Sequence, residues 1–179
     1  PSADDPLMQA RALAQEGNMT QSEGLLHQFL RTQPSPADAR FLLGYVLFRE
    51  EKPRDSLAEF TAGARTRRPA ADDFRIIASD YVLLHAYGDA VKWFSEAANE
   101  TPNDAQAWYL LGRAQYSNQS FKDAINSFQH TLRLRPNDVE AENNMGLAYQ
   151  GLNDSASAKT AFSTAVGSRG DQRSEAQPC

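Results

Sequence analysis

ETPNDAQAWYLLGRAQYSNQS (Glu100–Ser120) is followed by RLRPNDVEAENNMGLAYQGLND (Arg133–Asp154), and with Pro102 laid over Pro136 the two stretches read alike. They share Pro-Asn-Asp, then Leu or Met followed by Gly, then an Asn-rich close. The step between them is 34 residues, and it runs through the whole chain. Small residues recur at Ala10, Gly44, Ala78, Gly112 and Gly146. A second column holds Ser22, Ser56, Ala90, Ala124 and Ala158, and four residues beyond it stand Leu26, Phe60, Phe94, Phe128 and Phe162. Prolines close the units at Pro34, Pro69, Pro102 and Pro136, with Pro69 one residue late.

Within a unit the spacing is helical. In the fourth, Trp108, Leu111, Gly112 and Gln115 lie three to four residues apart; Asn118 and Ser120 break the pattern; Phe121, Ala124, Ile125, Phe128 and Leu132 resume it. Such spacing predicts an amphipathic helix on each side of a polar turn. Two helices per unit follow, the small column letting one approach its partner and the aromatic column filling the space beside it. Pro-Asn-Asp stops one helix and starts the next, since Pro cannot continue a helix and Asn or Asp caps one. The phrase repeats because each helix pair has the same neighbours to pack against.

Bulk properties bound the function. The 179-residue chain has ordinary composition, with 41% hydrophobic and 23% charged residues, and a net charge of −5 that does not suggest a nucleic-acid footprint. No run of about 18 apolar residues occurs, so no membrane insertion is expected. The opening PSADDPLMQA has neither the basic start nor the apolar stretch of a signal peptide. A chain beginning after a cleavage point would look the same, which leaves cytoplasmic and periplasmic or exported settings open. The only cysteine is Cys179, which excludes an internal disulfide, and His27, His85 and His130 lie far apart with no ligand spacing. No Gly-rich phosphate loop, metal motif or nucleophile elbow occurs, so no cofactor, metal or catalytic residue is expected. Asp72 and Asp73, like Glu50 and Glu51, are adjacent carboxylates that point apart on a helix and make no catalytic pair.

A 34-residue unit carrying Trp108, Leu111, Gly112, Ala124, Phe128 and Pro136 resembles the tetratricopeptide repeat (TPR) family. The fifth unit matches through Gly146, Tyr149, Ala158, Phe162 and Ala165, and the third through Tyr81, Ala90, Phe94, Ala97 and Pro102. The first departs, with Ala10, Ser22 and Leu26 where Gly, Ala and Phe are usual. The resemblance implies an all-α fold: a right-handed superhelix, or α-solenoid, of antiparallel helix pairs. One domain over 3–172 is expected, with repeats at about 3–36, 37–70, 71–104, 105–138 and 139–172 and a flexible tail at 173–179.

The resemblance also implies a concave groove lined by the first helices, used to bind peptide segments or partner proteins. The stripe opposite each intra-pair contact holds Phe41, Tyr45 and Phe48, then Arg75, Ser79 and Val82, then Tyr109, Arg113 and Tyr116, then Asn143, Leu147 and Gln150. Aromatic and arginine side chains suit such a surface because they bury large areas and offer planar donors. The expected binding residues are Tyr45, Phe48, Arg75, Ser79, Tyr109, Arg113, Tyr116, Asn143 and Asn144. The clamp by which some members grip a chaperone's terminal carboxylate is not expected, since Lys52, Lys92, Lys122 and Lys159 all avoid the first helices. The reading is therefore a non-enzymatic scaffold for a protein or peptide. Homo-oligomerisation through the groove or terminal repeats is the alternative, and an accessory domain of a longer enzyme is a weaker one.

Three further signals have local explanations. RTRRP at Arg65–Pro69 ends a helix, where cations complement the dipole. Of the Asn-x-Ser/Thr sequons at Asn18, Asn99, Asn118 and Asn153, three fall in turns between paired helices, where Asn suits the turn and Ser or Thr the cap. The array is expected to end at the fifth unit: Phe121, Ile125 and Leu134 give way one repeat later to Ser155, Lys159 and Ser168, as a solvent-facing end requires. The tail GSRGDQRSEAQPC has no apolar spacing for another helix.

Overall fold

A computed structural model describes residues 5–33 and 36–175; Pro34 and the last four residues lie outside them. The described residues form helices and turns, with no strand among them. The helices are α1 (Pro6–Gln15), α2 (Met19–Thr32), α3 (Ala37–Arg49), α4 (Pro53–Ala64), α5 (Ala71–Leu83), α6 (Tyr87–Glu100), α7 (Ala105–Ser117), α8 (Phe121–Leu134), α9 (Val139–Gly151) and α10 (Ser155–Glu175). From α2 onward each helix begins 34 residues before its counterpart in the next repeat, as α3, α5, α7 and α9 show at 37, 71, 105 and 139. Helix α10 runs on to Glu175, so the first three residues of the tail expected to be flexible at 173–179 are helical, and the last four lie outside the described residues.

The Asp of Pro-Asn-Asp does the capping. Asp104 accepts from the Gln106 amide at 2.8 Å and Asp138 from that of Ala141 at 3.0 Å, which satisfies amides that a helix N-terminus leaves unpaired. The turns within each pair work differently. Gly17, Glu51, His85, Gln119 and Asn153 stand 34 residues apart, and all have positive φ, from 57° to 86°. Expected cap residues there do less: Asn18 and Ser120 precede α2 and α8 but make no side-chain cap bond. Of the sequon asparagines, Asn153 itself takes the left-handed conformation.

The chain groups into two compact units, Pro1–Ala86 and Tyr87–Cys179. In unit 1, Ala10, Leu26, Leu43, Val46 and Leu47 build the core of α1 to α3. There Ser22 and Ser56, in place of the usual alanine, donate from Oγ to the carbonyls of Ala10 and Gly44 at 2.8 and 2.9 Å. In unit 2 the core joins Tyr109, Ala124, Ile125, Phe128, Ala141 and Ala148. The small column is a close-approach column, as the spacing predicts. A Cβ on Gly44, Gly112 or Gly146 would lie 2.7, 2.7 or 2.5 Å from Phe60, Phe128 or Phe162. Two further pairs escaped the sequence reading, Gly63 against Phe41 and Gly151 against Phe121.

Candidate functional site

In unit 1, Tyr45 and Phe48 on α3 are half-buried. The Tyr45 hydroxyl accepts from Arg49 Nη1 at 2.7 Å, and the Arg49 guanidinium lies 5.7 Å from the ring centroid, so one turn of helix fixes both side chains. Phe41 is buried, stacked 5.7 Å from Phe60 beneath Arg67. On α5, Arg75 is half-buried and pairs with the exposed Asp72 at 3.6 Å. Ser79 donates its hydroxyl back to the Arg75 carbonyl at 2.8 Å.

In unit 2 the structure corrects one expectation. Tyr109 is not an exposed contact residue: its ring is 7% exposed and lies against Phe128 with centroids 6.1 Å apart. Its hydroxyl accepts from Asn144 Nδ2 at 3.1 Å. Burial, with a hydrogen bond to and the charge of Glu140, raises the phenol's pKa against the smaller opposing pull of Arg113 and Asn144. The phenol therefore stays protonated near neutral pH. Above it the Arg113 guanidinium, 5.9 Å from the ring centroid, belongs to an exposed residue. Tyr116 is half-buried, its ring tilted on Phe121 at 5.6 Å, and Asn143 is half-buried beside Asn144. Leu147, one repeat on from Arg113, is 39% exposed.

The α7 and α9 face thus joins Tyr109, Arg113, Asn144 and Glu140, of which Glu140 was not singled out from the sequence. Its place in the first turn of α9 gave no signal beyond dipole complementarity. This face offers planar donors and amides around an immobilised aromatic ring. Among the described residues no group of three or more His, Cys, Asp or Glu side chains could hold a metal, and no helix is long and apolar enough to cross a membrane.

Tetratricopeptide repeat family models match residues 7–73, 77–139 and 139–172. The chain belongs to the tetratricopeptide repeat family. Superkiller protein 3 of Saccharomyces cerevisiae is 28% identical over 69 residues, which are 38% of this TPR chain and 5% of that protein. The chain thus matches a small fraction of that relative's length. Among solved structures, YrrB, described as a TPR protein with an unusual peptide-binding site, superposes with a TM-score of 0.87 at 19% identity, covering 95% of this chain and 88% of YrrB. MamA 41-end from Desulfovibrio magneticus RS-1 superposes with a TM-score of 0.84 at 17% identity, covering 98% and 100%. At these identities the likeness is one of fold, an all-α repeat solenoid.

Two arginines of the basic cluster after α4 have partners within unit 1. Arg67 pairs with Asp38 at 2.7 Å and covers the Phe41 ring at 4.9 Å, while Arg68 lies 5.5 Å from the Phe74 centroid. At the α9–α10 end, Ser155 and Lys159 are exposed. Ser168 is not on that outer surface, because it is 8% exposed and donates to Glu142 Oε1 at 3.2 Å.

Proposed function

We propose that the protein is a non-enzymatic binding scaffold that takes up a peptide segment or partner protein along the faces of its first helices. Tyr45, Phe48, Arg75, Ser79, Arg113, Tyr116 and Asn143 supply the contacts, with Asn144 and buried Tyr109 supporting them from behind. The observation that carries this reading is Arg113. It is an exposed guanidinium set over a ring whose hydroxyl is tied to Asn144, so the ring keeps its place before any partner arrives. Preorganisation of that kind lowers the ordering cost of binding. Membership of a repeat family in which YrrB carries a peptide-binding site is consistent with it.

The test is selection of displayed peptides on the intact chain, followed by calorimetry of the best binder on Arg113→Ala. A dissociation constant about 10-fold weaker, roughly 1.4 kcal/mol, with unchanged helicity supports the face. Equal affinity for the folded variant moves the site elsewhere.

A second reading, assembly of copies, is favoured by the α9–α10 end. Val166 is 73% exposed there, beside Phe162 and Ala158, around a recess of about 520 Å³. One repeat earlier, Phe128 and Ala124 in the same places belong to the core cluster with Ala141 and Ala148 of α9, and Leu132 packs against it. Light scattering that shows a monomer at every concentration removes this reading, and a mass that rises with concentration and falls in Val166→Asp supports it.

A further inference from the structure

One first-helix column holds Val46, Asp80, Ala114 and Ala148, all buried, and Asp80 is its only ionisable member. Asp80 lies in α5 with no exposed surface, facing α4. Its Oδ2 stands 2.5 Å from the Ser56 hydroxyl, and among the described residues its Oδ1 has no hydrogen-bond partner. The same Ser56 oxygen is 2.9 Å from the carbonyl oxygen of Gly44 on α3.

Counting protons decides what this triad is. A serine hydroxyl carries one hydrogen, and both the Gly44 carbonyl and an ionised carboxylate are acceptors only. One of the two short contacts would then be oxygen against oxygen with no proton between them. Ser22, one repeat earlier in the same column, gives its hydrogen to the carbonyl of Ala10 at 2.8 Å. If Ser56 does likewise, the proton in the Ser56–Asp80 contact must come from Asp80.

We propose that Asp80 is held in unit 1 as the neutral acid, donating to Ser56, which donates to Gly44, and that its ionisation loosens the α3–α4–α5 packing as a proton-sensitive latch. From α4 the carboxyl meets the Ser56 hydroxyl, and behind that stands the α3 carbonyl. Among the described residues no lysine, arginine, histidine or second carboxylate acts on it; its environment enters through burial and Ser56 alone. Burial raises the carboxyl's pKa from 3.8 to about 7, outweighing the pull toward the charged form that a hydrogen bond donated by Ser56 to the carboxylate exerts. The neutral form also limits the penalty at Oδ1, which is then an unpaired carbonyl rather than half of an unpaired charge.

The sign follows from linkage. The folded state keeps the Asp80 proton up to about pH 7, while the unfolded chain releases it above the ordinary 3.8. The stability that Asp80 contributes is therefore greatest in acid, falls as pH rises between those values, and is flat beyond the upper one. The latch lies behind the α3 turn that carries Tyr45 and Phe48, so that face shares the loosening.

Two measurements test the proposal. Carbon-13 NMR of the Asp80 side-chain carboxyl in the intact chain is expected to titrate near neutrality; a midpoint near 4 overturns the latch. Chemical denaturation of wild type and Asp80→Asn from pH 5 to 8 comes second, since Asn donates to Ser56 at every pH. The folded-to-unfolded ratio of wild type, relative to the variant, is expected to fall about 10-fold per pH unit up to about pH 7. Parallel pH profiles overturn it. Should Asp80→Asn not fold, the carboxyl titration of the unaltered chain decides alone.

Discussion

The side-chain amide of Asn144 on α9 donates a 3.1 Å hydrogen bond to the hydroxyl of Tyr109 on α7. It joins equivalent helices of successive repeats, through a ring that is otherwise core. Tyr109→Phe keeps the packing on Phe128 and loses the bond, an expected cost of about 1 kcal/mol. Tyr109→Ala removes the ring and is expected to cost about 3–5 kcal/mol. Arg113→Ala, at an exposed position, should stay within about 0.5 kcal/mol of wild type. Denaturant titrations of the three variants check the order, and a Tyr109→Ala chain as stable as wild type would show that the ring is not core.

The glycine column makes a sharper demand. Phe128 is fully buried, so it has no free space into which to retreat from a Cβ placed 2.7 Å away on Gly112. Alanine gains about 1 kcal/mol of helix propensity there, but overpacking of about 1–3 kcal/mol opposes it. Gly112→Ala is expected to be neutral to destabilising and Gly112→Leu clearly destabilising. Thermal melts measure both, and a Gly112→Leu melt matching the parent would refute the close approach.

Two other glycines should respond with opposite signs. Gly24 lies inside α2 with nothing within 4 Å of its would-be Cβ, so Gly24→Ala should stabilise by about 0.5–1 kcal/mol through helix propensity. Gly17 has equal space but φ of +86°, and Gly17→Ala should destabilise by about 1 kcal/mol. The pair of melts separates room from backbone conformation.

His130 stacks on Trp108 with centroids 4.2 Å apart and 13° between planes. Burial, then the nearby Arg133 charge, lowers its pKa below the ordinary 6.5. The unfolded chain takes up this proton first as pH falls. The stabilisation is therefore complete above 6.5 and is lost as pH drops through the folded pKa, opposite in sign to Asp80. His130→Phe keeps a stacked ring without a titration, so the wild-type melting temperature should fall relative to that variant between pH 7 and 5.

The repeat step and the small and aromatic columns were legible because close packing leaves the same residue types wherever the same neighbours recur. Tyr109 was misplaced for a reason the same columns show. Positions 41 and 109 are equivalent, and in both a large ring folds down onto the aromatic of the second helix, buried at 4% and 7%. Helical periodicity fixes a stripe's direction but not how far a flat ring leans from it. Positions 45 and 113, one turn along, remain half-buried and exposed. Asp80 could have been found by reading its column beside Val46, Ala114 and Ala148, since an acid among buried apolar residues breaks the pattern at once. The Tyr109–Asn144 bond could not, because nothing in residue spacing tells which polar side chains turn toward each other.

The left-handed turn position is filled by five different residue types, Gly17, Glu51, His85, Gln119 and Asn153, each exposed. The backbone there is set by the helices on either side, and four of the five already carry the strain that any L-residue would bring. The four tips that already hold a side chain are consequently interchangeable attachment points. A cysteine replacing Gln119 or Asn153 would join Cys179 as the chain's only thiols. With Cys179 replaced by serine, it would take a fluorophore at a chosen repeat with little effect on folding.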